Sequence, residues 1–265
     1  MDAEEIAFLR SLGVTRVEIG YQTTVDAINF ATGRGHGNAE SVKATKMLKD
    51  AGFKVVAHVM PNLPGSDPSA DRASFARIWD DPDFRPDEVK IYPTMVVGNS
   101  VLERLWRAGK FEPYPDGILV PLMADLEAMI PEYARLNRSY RDIPASEILS
   151  GSKRANLRQL TGDSMKERTL SRRDISAREI RDRGNDPQGA VLEIYEYEAS
   201  KGREVFFQWV DPSDRAIFSV LRLRIPGNAV HPDLDGSAVI RELHTYGDQL
   251  PLGAEAGGAS QHRGF

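Results

Sequence analysis

The sequence predicts an α/β protein in three successive parts. Over residues 1–115, strand and helix signals alternate, which favours a parallel sheet with helices outside it. Residues 116–185 have mainly helical apolar spacing, and residues 186–265 contain four further strand patterns. We therefore predict a partial (β/α) barrel, a helical connector and an incomplete α+β domain, in that order.

The first part opens with a β-rich run at residues 15–20. Asn38 is the predicted N-cap of a helix over residues 39–51, because its side chain can accept a hydrogen bond from a first-turn N–H group. An apolar strand follows at residues 54–59. These elements form one strand–helix–strand unit.

Asp67 and Pro68 come next and are predicted to cap and open a second helix, since proline suits the first helical turn. A third strand is predicted at residues 89–92. Three strands are too few to close a barrel, so the first part is predicted to be half of one.

The predicted connector contains helical patterns at residues 118–130 and 145–165, and it is basic. Residues 131–183 hold 13 lysines and arginines against 8 acids, although the whole chain has a net charge of −5. Such side chains can position an RNA through its phosphates without reading its sequence. The predicted RNA-binding residues are Arg138, Lys153, Arg154 and Arg158. A solvated helical surface explains the charges equally well.

The third part is predicted to be an antiparallel sheet. Its strand patterns cover residues 191–197, 205–209, 216–224 and 238–245, with polar turns between them. A loop rich in glycine then leads to Gln261, Gly264 and Phe265. A strand followed by Q-x-x-G at a helix start is typical of a pyrophosphate cradle built from backbone N–H groups. A plain polar loop is the alternative.

The composition excludes several classes of protein. There is no cysteine, so the chain holds neither a disulfide nor a cysteine-ligated iron–sulfur cluster. No apolar run approaches the ~20 residues that span a bilayer, and the acidic N-terminus is unlike a signal peptide. We expect a cytoplasmic protein with no membrane partner.

Polar residues follow the predicted strands of the half barrel, where barrel active sites assemble. Glu18 and Gln22 flank the end of the first strand, and Met60 begins the loop after the second. Lys90 and Tyr92 share one face of the third strand, being two residues apart. An inward Lys90 would offer a cation to a phosphate or uridine, whereas an outward Lys90 would extend between helices.

Several blocks of sequence together resemble one family. They are EIGYQT at residues 18–23, GFKVVAHVMPNLPGSDP at residues 52–68, KIYPT at residues 90–94, VIRELHTYG at residues 239–247 and QHRGF at residues 261–265. With shorter matches between them, they are similar to the Elongator catalytic subunit family over essentially the whole chain. The resemblance implies a radical S-adenosylmethionine barrel followed by a GNAT-like acetyltransferase domain.

The resemblance also implies chemistry on the wobble uridine of tRNA. A [4Fe–4S] cluster would cleave S-adenosylmethionine to a radical, which would abstract hydrogen from the methyl group of acetyl-CoA. The acetyl-CoA carbon radical would add to C5 of the uridine, and thioester hydrolysis would leave 5-carboxymethyluridine. The cofactors carry most of this chemistry, and the protein positions them.

Residue roles follow from the same resemblance. Glu18, Gln22 and Met60 would contact S-adenosylmethionine. Lys90 and Tyr92, chosen for the strand face that they share, are the candidate catalytic residues. The predicted acetyl-CoA contacts are Glu242, Leu243, His244, Thr245, Gln261, Gly264 and Phe265. Some relatives have cysteines near Arg172 that suggest a metal site, but this chain has none there, so we predict no metal ligands.

We expect a fragment lacking both ends and inactive alone, because relatives carry the cluster cysteines upstream and the pyrophosphate motif is cut at Phe265. Its expected partners are tRNA and either Elongator-type subunits or a second copy of the chain. Two alternatives remain: a GNAT-type N-acetyltransferase and a non-catalytic tRNA-binding scaffold.

Overall fold

The computed structural model describes residues 2–180, 186–228, 234–247 and 253. In this part of the chain the strands are β1 Arg16–Gln22, β2 Lys54–Val59, β3 Glu88–Ile91, β4 Val96–Val97, β5 Arg135–Ser139, β6 Ile148–Ser150, β7 Val191–Ala199, β8 Gly202–Val210, β9 Ile217–Ile225 and β10 Val239–Thr245. The helices are α1 Ala3–Ser11, α2 Asp26–Ala31, α3 Asn38–Asp50, α4 Pro68–Asp80, α5 Val101–Arg107, α6 Asp116–Met129, α7 Leu157–Glu167 and α8 Ile175–Arg178. A short 3₁₀ turn lies at Pro187–Gly189.

Strands β1, β2, β3 and β5 form a parallel sheet in that order. One face of the sheet is apolar and packs under helices α4 and α6, with Val59, Val89 and Ile91 fully or almost fully buried. The opposite face carries charged side chains, among them Glu18, Lys90 and the ion pair of Lys54 with Glu88. This division leaves the polar face available to build a site.

The predicted α/β class is confirmed, and the three predicted strands of the first part are present. Asp67 caps α4 as predicted, accepting from the N–H groups of Ser69 and Ala70 at 2.8 and 2.9 Å. The predicted cap of α3 was wrong, because Asn38 is the first helical residue and Gly37 precedes it.

The mainly helical connector is confirmed in part: α6 matches the predicted pattern at residues 118–130, but the pattern at residues 145–165 holds only from Leu157. Arg135–Ser139 is strand β5, the fourth strand of the parallel sheet, and α7 begins only at Leu157. Strand β6 pairs with β4 in a small antiparallel sheet where helix was predicted. The sequence of β5 shows no strand signal because Leu136 is its one apolar residue, and pairing with β3 imposes its extended form.

The second sheet is antiparallel with the order β10, β9, β8, β7, and its four strands confirm the predicted pattern. Its apolar core, which includes Phe206, Phe218 and Val220, lies on the face turned toward the rest of the protein. Strands β7 and β10 are the edges of this sheet within the described residues.

Buried charges join the two sheets. We call them the interface network: Lys49, Asp50, Asp87, Glu204, Arg222, Arg224 and Arg241, all with fully buried side chains. Asp87, just before β3, accepts from both terminal nitrogens of Arg241 at 2.7 Å. Burial alone would raise the pKa of Asp87, but Arg241, Lys49 and Arg222 hold it well below its ordinary value. The network therefore fixes β10 against the start of β3.

Candidate functional site

Three side chains meet at the carboxyl ends of the parallel strands, and we call them the strand-end cluster: Glu18, His58 and Lys90. The Lys90 ammonium donates to both oxygens of Glu18 at 2.7 Å. His58 Nε2 also contacts the Glu18 carboxylate. Lys90 thus lies on the polar sheet face rather than between helices, and its side chain is only 22% exposed.

Tyr92 reaches the cluster through His58. The two rings meet edge to face with their centroids 5.6 Å apart. Burial opposes ionisation of Glu18, but hydrogen bonds from Lys90 and His58 more than offset it, so the Glu18 pKa lies below its ordinary value. The cluster therefore presents an ionised carboxylate with an ammonium and an imidazole on either side of it.

Gln22 lies at the end of β1 in the left-handed backbone region, with φ at 64°. Its side-chain oxygen is buried and has no hydrogen-bond partner among the described residues. Arg34 donates to the carbonyl oxygen of Gly20 beside it. A Cβ at Gly20 would lie 2.5 Å from Gln22 Nε2 and 2.7 Å from Arg34 Nη2, so a side chain there would displace the ends of both. An ammonium or ribose hydroxyl group would satisfy the unpartnered oxygen.

Met60 is adjacent to Gln22, because its N–H donates to the Gln22 carbonyl oxygen at 2.8 Å. The loop that follows contains Asn62, buried and left-handed with φ at 66°. The Asn62 N–H donates to Asp71 at 2.8 Å, and Tyr114 donates to the same carboxylate oxygen at 3.0 Å. Burial raises the pKa of Asp71. Asp71 thus holds the loop at the mouth of the sheet.

A basic cavity of about 990 Å³ opens next to the strand ends. All four predicted RNA-binding residues line it, namely Arg138, Lys153, Arg154 and Arg158, and Arg141 joins them. Lys90 is paired in register with Arg138 on the neighbouring strand. The strand-end cluster and the basic cavity are therefore neighbours on one edge of the protein.

Charge on the cavity is only partly neutralised. Arg138 pairs with Asp142 at 3.4 Å, and Arg154 pairs with Asp116 at 2.7 Å. Within the described residues, Lys153 and Arg141 have no ion-pair partner. The predicted connector's other basic residues do not all line the cavity: Arg172, for example, pairs with Asp174 at 2.8 Å.

Strand β10 lies near the amino end of β2, whereas the strand-end cluster lies near its carboxyl end. Glu242 pairs with Lys54 at 2.8 Å and Arg222 at 3.4 Å, and these cations hold its pKa below the ordinary value although burial opposes them. Lys54 begins β2, so His58 lies about 13 Å further along that strand. Glu242, one of the predicted acetyl-CoA residues, is therefore apart from the strand-end cluster.

The other predicted β10 residues have different environments. Leu243 is 62% exposed, Thr245 lies 3.4 Å from Ser219, and the His244 ring packs on Tyr246. Because β10 is an edge strand in this part of the chain, it can pair with an added extended segment. The predictions for Gln261, Gly264 and Phe265 fall outside the described residues.

Sequence reasoning missed His58, Arg34 and Asp71. The signal for His58 was present, because it is a polar residue near the end of the predicted strand at residues 54–59, where barrel active sites assemble. Arg34 and Asp71 lie on a loop and a helix, where nothing in the local pattern indicates which strand end they reach. Among the described residues, no group of three histidines, cysteines or acids is arranged to hold a metal ion, and no helix has the length and apolarity to cross a membrane.

Comparison with known families matches two parts of the chain. Residues 1–73 match the radical SAM superfamily, and residues 86–167 match the radical SAM C-terminal domain. The second match covers β5 and α7, so it includes a strand that the sequence did not predict.

Similar whole proteins carry related names. The chain is 40% identical to a tRNA uridine(34) acetyltransferase of Dehalococcoides mccartyi, with 98% of this chain and 58% of that protein covered. It is 36% identical to the Drosophila melanogaster Elongator complex protein 3, covering 98% and 48%. The solved archaeal Methanocaldococcus infernus Elp3 superposes with a TM-score of 0.90 at 36% identity, covering 95% of this chain and 61% of that one. The chain thus spans about half to three fifths of these relatives.

Proposed function

Because the chain belongs to the Elongator complex protein 3 family of radical SAM proteins, we propose that it forms the part of a tRNA wobble-uridine modifying enzyme that holds the RNA and faces the cofactor. The adjacency of the strand-end cluster and the basic cavity carries this proposal. An RNA held by the cavity has its bases next to Lys90, Tyr92 and Glu18.

The residues at the end of β1 fit S-adenosylmethionine. The unpartnered oxygen of Gln22 would accept from the cofactor's ammonium or ribose hydroxyl group, and Glu18 would attract its positive charge. Asp71 would keep the Met60 loop in place beside it. In radical SAM proteins this cofactor supplies hydrogen-atom abstraction. The chain's own role is to bind, orient and shield it.

An iron–sulfur cluster does not fit this chain, which has no cysteine to ligate one. We therefore assign no step to a cluster on these residues. On the substrate side, Lys90 presents an ammonium and Tyr92 a phenol at the strand ends. Both can donate a hydrogen bond to a uracil carbonyl oxygen or to a phosphate.

We further propose that β10 contributes to an acetyl-CoA site by pairing with the pantetheine arm along the edge that no other described strand covers. The ion pairs of Glu242 with Lys54 and Arg222 hold this strand in place. Calorimetric titration of the full chain with acetyl-CoA tests this assignment. If Leu243→Pro leaves the dissociation constant for acetyl-CoA unchanged, β10 is not part of the site.

The RNA assignment is tested with a fluorescent anticodon stem-loop and the full chain. Arg154→Glu and Arg158→Glu should each weaken binding about tenfold or more and reduce its salt dependence. Lys166→Glu is the matched control, because Lys166 is on the same helix as Arg158 but 83% exposed and outside the cavity. Equal affinities for all three variants and the unchanged chain would refute the proposal.

A non-catalytic tRNA-binding scaffold is the second candidate, favoured by the five basic side chains that line the cavity. Calorimetric titration with S-adenosylmethionine separates the two functions. Binding that is lost on Gly20→Ala supports a cofactor site, because the added Cβ displaces Gln22 and Arg34. Absence of binding, together with tight tRNA binding, would favour the scaffold.

A further inference from the structure

The walls of the basic cavity are of two kinds. Its cations, Arg138, Arg141, Lys153, Arg154 and Arg158, suit phosphates. The same cavity is also lined by apolar side chains, namely Met95, Ile143, Pro144, Ile148 and Leu157. Phosphate binding alone needs no apolar wall, so the second group indicates a ligand with an apolar face as well as negative charge.

An RNA duplex cannot supply such a ligand, because its bases are stacked inside and it presents phosphates and riboses to a protein. An unstacked nucleotide in a single-stranded loop offers both a phosphate and a base. The volume of about 990 Å³ lies at the upper end of the range for small-molecule pockets, which leaves room for a nucleotide. Arg138 joins the cavity to Lys90 in register, so the occupant is close to the strand-end cluster.

We propose that the basic cavity holds one splayed-out loop nucleotide of the RNA, a neighbour of the uridine presented to the strand-end cluster. Its base lies against the apolar wall, and the basic side chains contact its phosphates. This inference rests on the proposed function, and it adds a recognition site separate from the strand ends. Coenzyme A also contains a nucleotide, but its predicted strand β10 is at the opposite end of the sheet.

The test uses the full chain and a series of anticodon stem-loops, each with one abasic loop position that keeps every phosphate. Loss of one base should weaken binding about tenfold at a single position next to the wobble nucleotide. A 2-aminopurine at that position should become brighter on binding, as expected for an unstacked base. Equal affinity for every abasic loop would overturn the inference.

Two variants locate the effect. Adding bulk at the exposed mouth with Ala145→Leu and Ala155→Leu together should abolish the abasic penalty, whereas Ala39→Leu, exposed but outside the cavity, should preserve it. Thermal melting of each variant checks that it folds. If both leucine variants keep the full penalty, the base lies elsewhere and the inference is wrong.

The outcomes separate this inference from the proposed function. RNA binding that Arg158→Glu weakens, but without any abasic penalty, refutes the splayed nucleotide and leaves the proposed function standing. An abasic penalty without preference for a uridine-containing anticodon loop supports the cavity and refutes the proposed function. If coenzyme A displaces the stem-loop and 2-aminopurine stays dark, the cavity belongs to the coenzyme and the inference fails.

Discussion

Replacing Arg241 with methionine should lower the free energy of unfolding more than any surface substitution does. Its guanidinium donates four hydrogen bonds, to the carbonyl oxygen of Phe53, to both oxygens of Asp87 and to Glu204, at 2.6–2.9 Å. Methionine approximates its length but makes none of these bonds. Asp87 and Glu204 would then remain buried with less compensating charge.

The magnitude follows from burial. Removing one partner of a buried ion pair costs about 3–5 kcal/mol, because the remaining charge is left without compensation. For a chain of this size, about 2–4 °C of melting temperature corresponds to each kcal/mol, so Arg241→Met should melt about 6–20 °C lower. Arg203→Met is the matched control, since Arg203 pairs with Glu196 on the same sheet with both side chains 57% exposed. Its cost should be no more than about 1 kcal/mol.

A pH signature accompanies this loss. Burial lowers the pKa of Lys49, with a contribution from the nearby Arg241, to about 8 against the attraction of Asp87 and Glu204. The folded state therefore binds fewer protons than the unfolded state between about pH 8 and 10.5, and stability rises with pH across that window. Without Arg241 the Lys49 pKa should rise and this increase in stability should shrink.

Urea unfolding, followed by circular dichroism at several pH values, measures both effects. A double-mutant cycle with Asp87→Asn adds a stricter test, because the second change should cost less once its partner is gone. If Arg241→Met costs no more than Arg203→Met, or if the cycle is additive, the interface network does not hold the two sheets together and the reasoning is refuted.

Three further predictions concern the site. Glu18→Gln should lower the free energy of unfolding at neutral pH but not in acid. The lowered Glu18 pKa gives stability that is present above the ordinary carboxyl pKa and is lost as the pH falls through the pKa of the folded state. An equal loss of stability at both pH values, measured by unfolding curves, would contradict this. Gly20→Ala should cost at most about 1 kcal/mol, because the crowding atoms are the ends of the flexible Gln22 and Arg34 side chains, which can move aside. Gly162→Ala, with no atom within 4 Å of the new Cβ, should instead gain up to about 1 kcal/mol from helix propensity. Thermal melts measure the sign of each change. Asp71→Asn should gain stability relative to the unchanged chain as the pH rises above about 4. Burial raises the Asp71 pKa, so ionisation of this carboxyl group works against folding in the unchanged chain. A difference in urea midpoint that does not change with pH would refute this prediction.

Local sequence patterns were sufficient for most of the fold. The strands near Lys54–Val59 and Gly202–Val210 were predictable because alternation and apolar runs reflect burial of one or both strand faces. The basic cavity was also foreshadowed, since its arginines and lysines lie within one short stretch of chain. Strand β5 was not, because its residues are mostly polar and its extended form depends on β3.

The residues near the strand ends were recognisable one by one from the chain, but their contacts were not. Glu18 meets His58 across 40 residues and Lys90 across 72, and Asp87 meets Arg241 across 154. Periodicity and capping are properties of neighbouring residues, so they can be seen in a linear sequence. Which cation neutralises which buried carboxylate depends on how strands are ordered and how two sheets are packed. Only the folded arrangement could therefore reveal the strand-end cluster, the contacts by which Asp71 holds the loop after Met60, and the interface network.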